Sequence, residues 1–390
     1  MSTGSRSGDT ATRVRAIVPE ASPSVLADLD LTRGGEDVRF APGNRRLAVA
    51  RAHHDTIVVV DLDIRLDGDQ SCVVVTDVVE VSSPHFAYPH GVDWVDDATI
   101  VVANRYGRVA VCRLGSGDGR GARPSSVEVV PVDGLDLADG PASVAVAGGA
   151  GGRTDIIVCN NDAHTLTRHT LAADARSVTS NRLLLRRLIN FPDGVGLTDD
   201  GTWIAVSNHQ AHVVGLYEQP ESLHDDSEPD CVLRGVLYPH GVRFGPGARH
   251  VVVADCSAPF VHVFEPDGPT WRGVRYPVGS FRVMDDAVFR LHPRHRLGDG
   301  GPKGIDIDRG RHVLAVVAEY QPLAFFDLAA ILDDDARPSF DDDRRLQYEL
   351  DILERTRALE AHVAALKRSV SFRLTRPLRS LKAAWLRMRG

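Results

Sequence analysis

The sequence predicts an all-β protein, a six-bladed β-propeller with a C-terminal helical tail, and three observations carry that prediction. A unit of strand and turn patterns recurs six times. The copies are spaced as propeller blades are. The last copy is one strand short, while a spare strand pattern stands near the N-terminus. Units of about 40–50 residues with four short strands each are what blades need.

Each unit opens with a turn ending in P-x-G or a variant of it. An apolar strand, a polar turn and a Val-rich strand ending in a small and a polar residue follow, then a further strand. Taken in order, the copies begin at Gly35 (GEDVRFAPGNRRLAVARAHH), Tyr88 (YPHGVDWVDDATIVVANRYG), Gly140 (GPASVAVAGG), Phe191 (FPDGVGLTDDGTWIAVSNHQ), Tyr238 (YPHGVRFGPGARHVVVADCS) and Gly301 (GPKGIDIDRGRHVLAVVAEY). Their x positions are Glu36, His90, Ala142, Asp193, His240 and Lys303, separated by 54, 52, 51, 47 and 63 residues. The longest step holds an insertion around 281–300, read as a rim loop. The strand that completes the last copy is expected from 13–18 or 25–31, and closing the ring in this way removes the exposed edges of an open sheet.

This places the propeller at 12–332, after a disordered stretch at 1–11. An acidic, Pro-containing linker follows at 333–345, then a helical segment at 346–390. In that segment Leu346, Leu350, Leu353, Leu359, Val363, Leu366 and Val370 suit a short coiled coil able to pair two copies. Beyond it, Leu374, Leu378, Leu381, Trp385 and Met388 form one apolar stripe among Arg and Lys, a basic amphipathic helix suited to an anionic membrane surface.

Charge and cysteine content bound the setting. The chain carries −8, yet the residues from 361 onward hold eight Lys or Arg and no acid, so the rest carries −16 (−8 minus +8) and repels nucleic acid. Five cysteines without C-x-x-C spacing read as free thiols in a reducing compartment. The opening MSTGSRSGDTATR has no apolar signal core. A cytoplasmic protein, peripheral on the inner face of the plasma membrane through its tail, is the expectation.

In a blade, the start of strand one and the end of strand two meet on the same face. The x residues should therefore ring one mouth of the channel. Arg51, Asn104, Asn160, Asn208, Asp255 and Glu319, which end the second strands, should form a second ring there. Backbone turn preferences account for the Asn residues but not for His90, His240, Glu36, Glu319 or Lys303. Convergent polar groups at a concavity mark a ligand site.

Two chemistries fit the rings. A divalent cation (Ca, Mg or Zn) could be held with oxygen ligands predominating, on Glu36, Asp193 and an Asn or His, with Asp255 a further ligand, while His240 or Asp193 moves a proton. Alternatively, with no metal, His90, Lys303, Asn104, Asn160, Asn208, Glu319 and Arg51 would hydrogen-bond a sugar or sugar phosphate.

The repeat resembles the NHL and SMP-30 (gluconolactonase-like) propellers over roughly 12–332. The resemblance implies metal ligands at Glu36 in GGEDV and Asp193 in FPDGV; the family's Asn ligands are replaced here by His90, Ala142 and His240. It also resembles the streptogramin lyases, which implies a P-H-x histidine base at His240, with Asp255 or Glu319 placed as the strand-ending acid that helps to hold Mg²⁺. The phrase SVSFRLTRPLRSLKAAW is similar to the C-terminal segment of bacterial glycosyltransferases and methyltransferases of surface-polysaccharide loci. Together these imply a binding or scaffolding module in cell-surface glycan biosynthesis, with a glycan or sugar-derived ligand and glycosyltransferase-type partners. The alternative is a metal-dependent hydrolase or lyase of a lactone, ester or sugar.

Overall fold

The computed structural model describes residues 12–14, 16–68, 70–115, 124–148, 153–291 and 298–333. The expected disordered N-terminus, most of the acidic linker, the coiled coil and the amphipathic helix lie outside the described residues. No helix among the described residues is long and apolar enough to cross a membrane.

Six sheets follow one another around the chain, each built on antiparallel strands that pair in sequence order, with three strands inserted from elsewhere in the chain. Blade 1 is Asp37–Phe40, Arg46–Arg51, Thr56–Asp67 and Gln70–Ser82. Blade 2 is Pro89–Asp96, Thr99–Asn104, Ala110–Leu114 and Val127–Pro131. Blade 3 is Pro141–Gly148, Thr154–Asn160, Thr165–Leu171 and Val178–Leu185. Blade 4 is Pro192–Leu197, Trp203–Asn208, Val213–Glu218 and Cys231–Leu233, with Gly273–Arg275 added in parallel outside.

Blade 5 is Pro239–Phe244, Val251–Asp255, Phe260–Phe264 and Gly279–Arg282, with Thr12–Arg13 added in parallel. Blade 6 has three strands of its own, Pro302–Ile307, Val313–Ala318 and Ala324–Asp327. Its fourth is Ala16–Ile17, paired antiparallel with Phe325 and Phe326, so the N-terminal segment closes the ring.

The other closing candidate, 25–31, is helical instead. Pro23–Asp28 forms one turn and a half of α-helix, with Pro at its start and the Ser22 hydroxyl accepting from the Val25 amide. Both features favour a helix start over a strand. Leu29–Thr32 continues as a 3₁₀ turn. Within the expected rim insertion, the structure places a short helix at Asp286–Phe289.

The core is six apolar layers, one between each pair of neighbouring blades. Val92, Trp94, Ile100 and Val102 of blade 2, for example, pack on Ala48, Ile57 and Val59 of blade 1. Alternation along each strand gives it one face for each neighbour. Cys112, Cys159, Cys231 and Cys256 are buried, Cys72 is half-buried, and all five are free thiols.

The P-x-G turn has a physical explanation in the packing. Strand one is the inner edge of its sheet, so Pro there removes no ladder donor. In blades 2 to 6 the register shifts directly after this Pro. That places the x residue in a β-bulge, which re-aims its side chain. The glycine that follows lets the next blade's backbone approach: a Cβ at Gly194 would stand 1.9 Å from the His240 carbonyl oxygen, and one at Gly91 2.6 Å from Ser143 Cα.

Farther along the same strands the channel is closed by paired charges. Arg39 donates to the carbonyls of Val92, Val144 and Val195, reaching blades 2, 3 and 4. Arg243 donates to Asp306 at 2.7 Å and Val242 O at 2.6 Å, with Asp37 at 3.4 Å. Below these arginines a cavity of about 420 Å³ opens among the strand-one-to-strand-two turns, lined by Asp199, Asp308, Arg309 and Arg311.

Candidate functional site at the channel mouth

At the other end the x residues converge, and five of the six are polar and buried: Glu36, His90, Asp193, His240 and Lys303. The sixth, Ala142, contributes its carbonyl, which lies 2.9 Å from His90 Nδ1. A carbonyl only accepts, so His90 carries its proton on Nδ1 and offers the Nε2 lone pair to the mouth. Around the centre, Glu36 Oε2 lies 3.5 Å from His90 Nε2 and 3.7 Å from His240 Nε2. Asp193 Oδ1 is 4.0 Å from His90 Nε2, and its Oδ2 is 3.8 Å from His240 Nε2. Nε2 of the two imidazoles and Oε2 of Glu36 thus face one another across a small gap, with the Asp193 carboxylate beside them. Glu36, His90 and His240 form a buried group able to hold a metal ion.

The remaining oxygens are taken by cations. Lys303 Nζ bonds Glu36 Oε1 at 2.7 Å and stands 3.2 Å from Asp299 Oδ1. Arg105 Nη2 bonds Asp193 Oδ1 at 2.6 Å, and the Asn161 amide donates to the same oxygen at 3.2 Å.

These neighbours set the protonation states. Burial disfavours the Glu36 anion, but Lys303, helped by His90 and His240, outweighs it and holds the carboxyl at about 2. Burial likewise opposes the Asp193 anion, and Arg105 outweighs it, so that carboxyl sits well below its usual range. Burial above all lowers His90 to about 3 and His240 to about 4, and it lowers His209 as well. Lys303 is raised, because Glu36 overcomes the cost of its burial. At neutral pH the site therefore holds two carboxylates, two cations and three neutral imidazoles.

The second predicted ring has a different place. Asn104, Asn160, Asn208 and Asp255 each turn a side-chain oxygen back to the backbone N–H three residues before the x position. The donors are Ala87, Asp139, Asn190 and Leu237, at 3.1, 3.1, 3.0 and 2.9 Å. Arg51 is the mirror of this clamp, donating from Nε to the Arg33 carbonyl at 2.9 Å, and it also pairs with Glu80. Asp255 is engaged further by Ser257 N and His262, and it is not among the atoms at the centre of the mouth. Glu319 accepts from Gly34 N through its backbone carbonyl. The structure thus brings together Glu36, His90, Asp193, His240 and Lys303, and it uses the strand-two ends of blades 1 to 5 to brace the turns that carry the x residues.

The residues that reach the mouth from the second strands stand one position later. Arg105, Asn161 and His209 directly follow Asn104, Asn160 and Asn208. His209 Nδ1 lies 3.5 Å from Asp193 Oδ2, and His209 stacks near Tyr238 and His240 with ring centroids 5.0 and 6.1 Å away. Each stands just past its strand, Arg105 and Asn161 in turns and His209 opening a 3₁₀ segment, and this one-residue offset is what separates brace from site. The polar residue directly after each strand-ending Asn was the signal in the sequence able to find them.

Comparison with known protein families and with curated proteins finds no match. Among solved structures, the chain is similar in fold to a hydrazine synthase of Kuenenia stuttgartiensis (14% identity, covering 77% of this chain and 78% of that one, TM-score 0.47). It is similar also to a luciferin-regenerating enzyme (12% identity, 75% and 91% covered, TM-score 0.48). A third is the β-propeller domain of Myceliophteria thermophila Cps50 (Swd1), at 11% identity, 76% and 97% covered and TM-score 0.44. The likeness is one of fold.

Proposed function

We propose that the channel mouth is a divalent-metal centre, and that the protein is a metal-dependent hydrolase or lyase of a polar small molecule: a lactone, an ester or a sugar. The observation that carries this is the buried group of Glu36, His90 and His240, with Glu36 Oε2 3.5 and 3.7 Å from the two imidazole Nε2 atoms. An ion bound tetrahedrally at about 2.0–2.1 Å sets its ligand atoms roughly 3.3–3.4 Å apart, so a small contraction would bring these three atoms onto an ion and leave its fourth position open.

The partners of these residues and of Asp193 support the same reading. The Ala142 carbonyl fixes the His90 tautomer, and Lys303, Arg105 and Asn161 orient the carboxylates, as outer-shell groups do around metal ligands. With two imidazoles in the set, zinc and its transition-metal neighbours fit better than Ca²⁺ or Mg²⁺. Asp255, expected as a ligand, gives way to His90 and His240.

A cation held there would supply Lewis-acid polarisation of a carbonyl or glycosidic oxygen. The chain's own residues then divide the work. Glu36, His90 and His240 hold the ion, and Arg105 and Asn161 hold Asp193 beside it. This takes His240 out of the proton-transfer role expected of it. That role passes to His209, a neutral imidazole with Nδ1 free of hydrogen bonds among the described residues.

The test is to strip the full chain with EDTA, reload it with Zn²⁺, Mn²⁺, Mg²⁺ or Ca²⁺, and follow turnover of lactones, aryl esters and aryl glycosides. Turnover that needs the ion and is lost in His90→Ala and His209→Ala supports the enzyme. Binding without turnover would support the second reading, a binding or scaffolding module in cell-surface glycan assembly. That reading rests on the SVSFRLTRPLR phrase.

A further inference from the structure

Arg105 is only partly used by the contacts that hold it. Its Nη2 serves Asp193 Oδ1 and Asn161 Oδ1, at 2.6 and 3.1 Å, while Nε is buried with no hydrogen-bond partner among the described residues. A guanidinium has five N–H donors, and a buried donor left unpaired costs free energy that a ligand can recover. Its side chain is 16% exposed, so the group stands at the opening and not under it.

Two aromatic rings flank this guanidinium. Cζ is 5.8 Å from the Tyr88 ring centre and 5.5 Å from that of Phe191. Both residues hold left-handed backbone, with φ of 61° and 56°. Bulky side chains rarely accept that conformation, and such strain clusters at functional sites. From Phe191 the apolar rim continues to His209, 6.1 Å away between centroids, and on to Tyr238. A planar cation set between rings, with polar groups below, suits a ring-shaped ligand bearing an anionic group.

We propose that Arg105 is the anion-recognising residue of the channel mouth, and that the ligand is a ring-shaped small molecule whose carboxylate or phosphate docks on its guanidinium between Tyr88 and Phe191. This rests on the mouth being a ligand site and deepens that reading by naming the ligand class. Arginine suits the task because its planar fork matches carboxylate and phosphate geometry.

The experiment uses the full chain, with Zn²⁺ and after EDTA, titrated with galacturonate, galactose and inorganic phosphate by ligand-observed NMR. Galacturonate and galactose differ in the carboxylate, so their ratio reads anion recognition directly. The expected result is binding of galacturonate on the order of tenfold tighter than galactose, with that preference abolished in Arg105→Gln and weakened in Arg105→Lys. Tyr88→Ala, which leaves the Arg105–Asp193 pair in place, weakens galacturonate but not phosphate. Equal binding of the two sugars, failure of both anions to bind at millimolar concentration, or a preference that survives Arg105→Gln would overturn the proposal. Zn²⁺ uptake, measured in parallel, separates the two readings. A chain that takes up no Zn²⁺ yet keeps an Arg105-dependent preference loses the metal centre alone.

Discussion

Replacing Glu36 by Gln keeps the shape of the channel mouth and removes one charge. Lys303, 5% exposed, then loses its partner at 2.7 Å and keeps only Asp299 at 3.2 Å, whose side chain is 35% exposed. Breaking a buried pair by removing one partner costs about 3–5 kcal/mol, and the remaining carboxylate puts this case at the low end, about 3 kcal/mol. With about 2.1 cal/mol/K of unfolding entropy per residue over roughly 320 residues, that loss lowers Tm by about 4–5 °C. Calorimetry on the EDTA-treated chain measures it without any contribution from bound metal. The double variant Glu36→Gln/Lys303→Met removes the charge left unpaired and should recover most of the loss, because exchanging a whole buried pair for apolar bulk is often neutral. A single variant melting within about 1 °C of the parent, or a double variant no more stable than the single, would refute the reasoning.

Three more outcomes follow from the same geometry. His90 and His240 are neutral in the fold and protonate below about pH 6.5 when unfolded, so the unfolded chain binds more protons between that pH and their lowered values near 3 and 4. Stability should therefore fall on acidification through that window, by up to about 3 kcal/mol for His240 alone, and His240→Gln should flatten the dependence of Tm on pH between 4 and 6.5. Gly194→Ala drives a Cβ into the His240 carbonyl, 1.9 Å away, and should cost roughly 3 kcal/mol together with Zn²⁺ uptake; calorimetry and dialysis read both. Asn208→Ala removes the acceptor of the Asn190 amide and should cost about 1–2 kcal/mol while leaving Zn²⁺ uptake unchanged, a split that a ligand role for Asn208 would not produce.

The propeller was legible because its period is written in turns. Pro at an inner edge and Gly under a neighbouring backbone are backbone requirements, and residue identity reports them directly. The same turns located Glu36, His90, Asp193, His240 and Lys303, the last four of them carried on the bulges. Legibility stopped at the ends of the second strands. There Asn104 and Arg105, or Asn208 and His209, differ by one position, and the polar residue that ends the strand is the brace. The closing strand was ambiguous for a related reason. Two residues of ladder at Ala16–Ile17 suffice once a closed ring holds them, while the more apolar 25–31 is claimed by the Ser22–Pro23 helix start. Arg39 and Arg243, which plug the channel, sit three residues after Glu36 and His240 on the same strands. The pairing of Arg243 with Asp37 and Asp306, and of Arg39 with Asp306, crosses blades, and nothing local in the sequence announces it.

The central claim is that Glu36, His90 and His240 hold one divalent ion. The most direct measurement is Co²⁺ titration of the EDTA-treated full chain, reading the visible d–d bands together with the bound metal per chain. The account predicts one ion per chain with the intense bands of four-coordinate cobalt, competed away by Zn²⁺. Both signals should be lost in His90→Ala and His240→Ala and kept in Asn208→Ala. No uptake, or weak octahedral bands that persist in His90→Ala and His240→Ala, would contradict it.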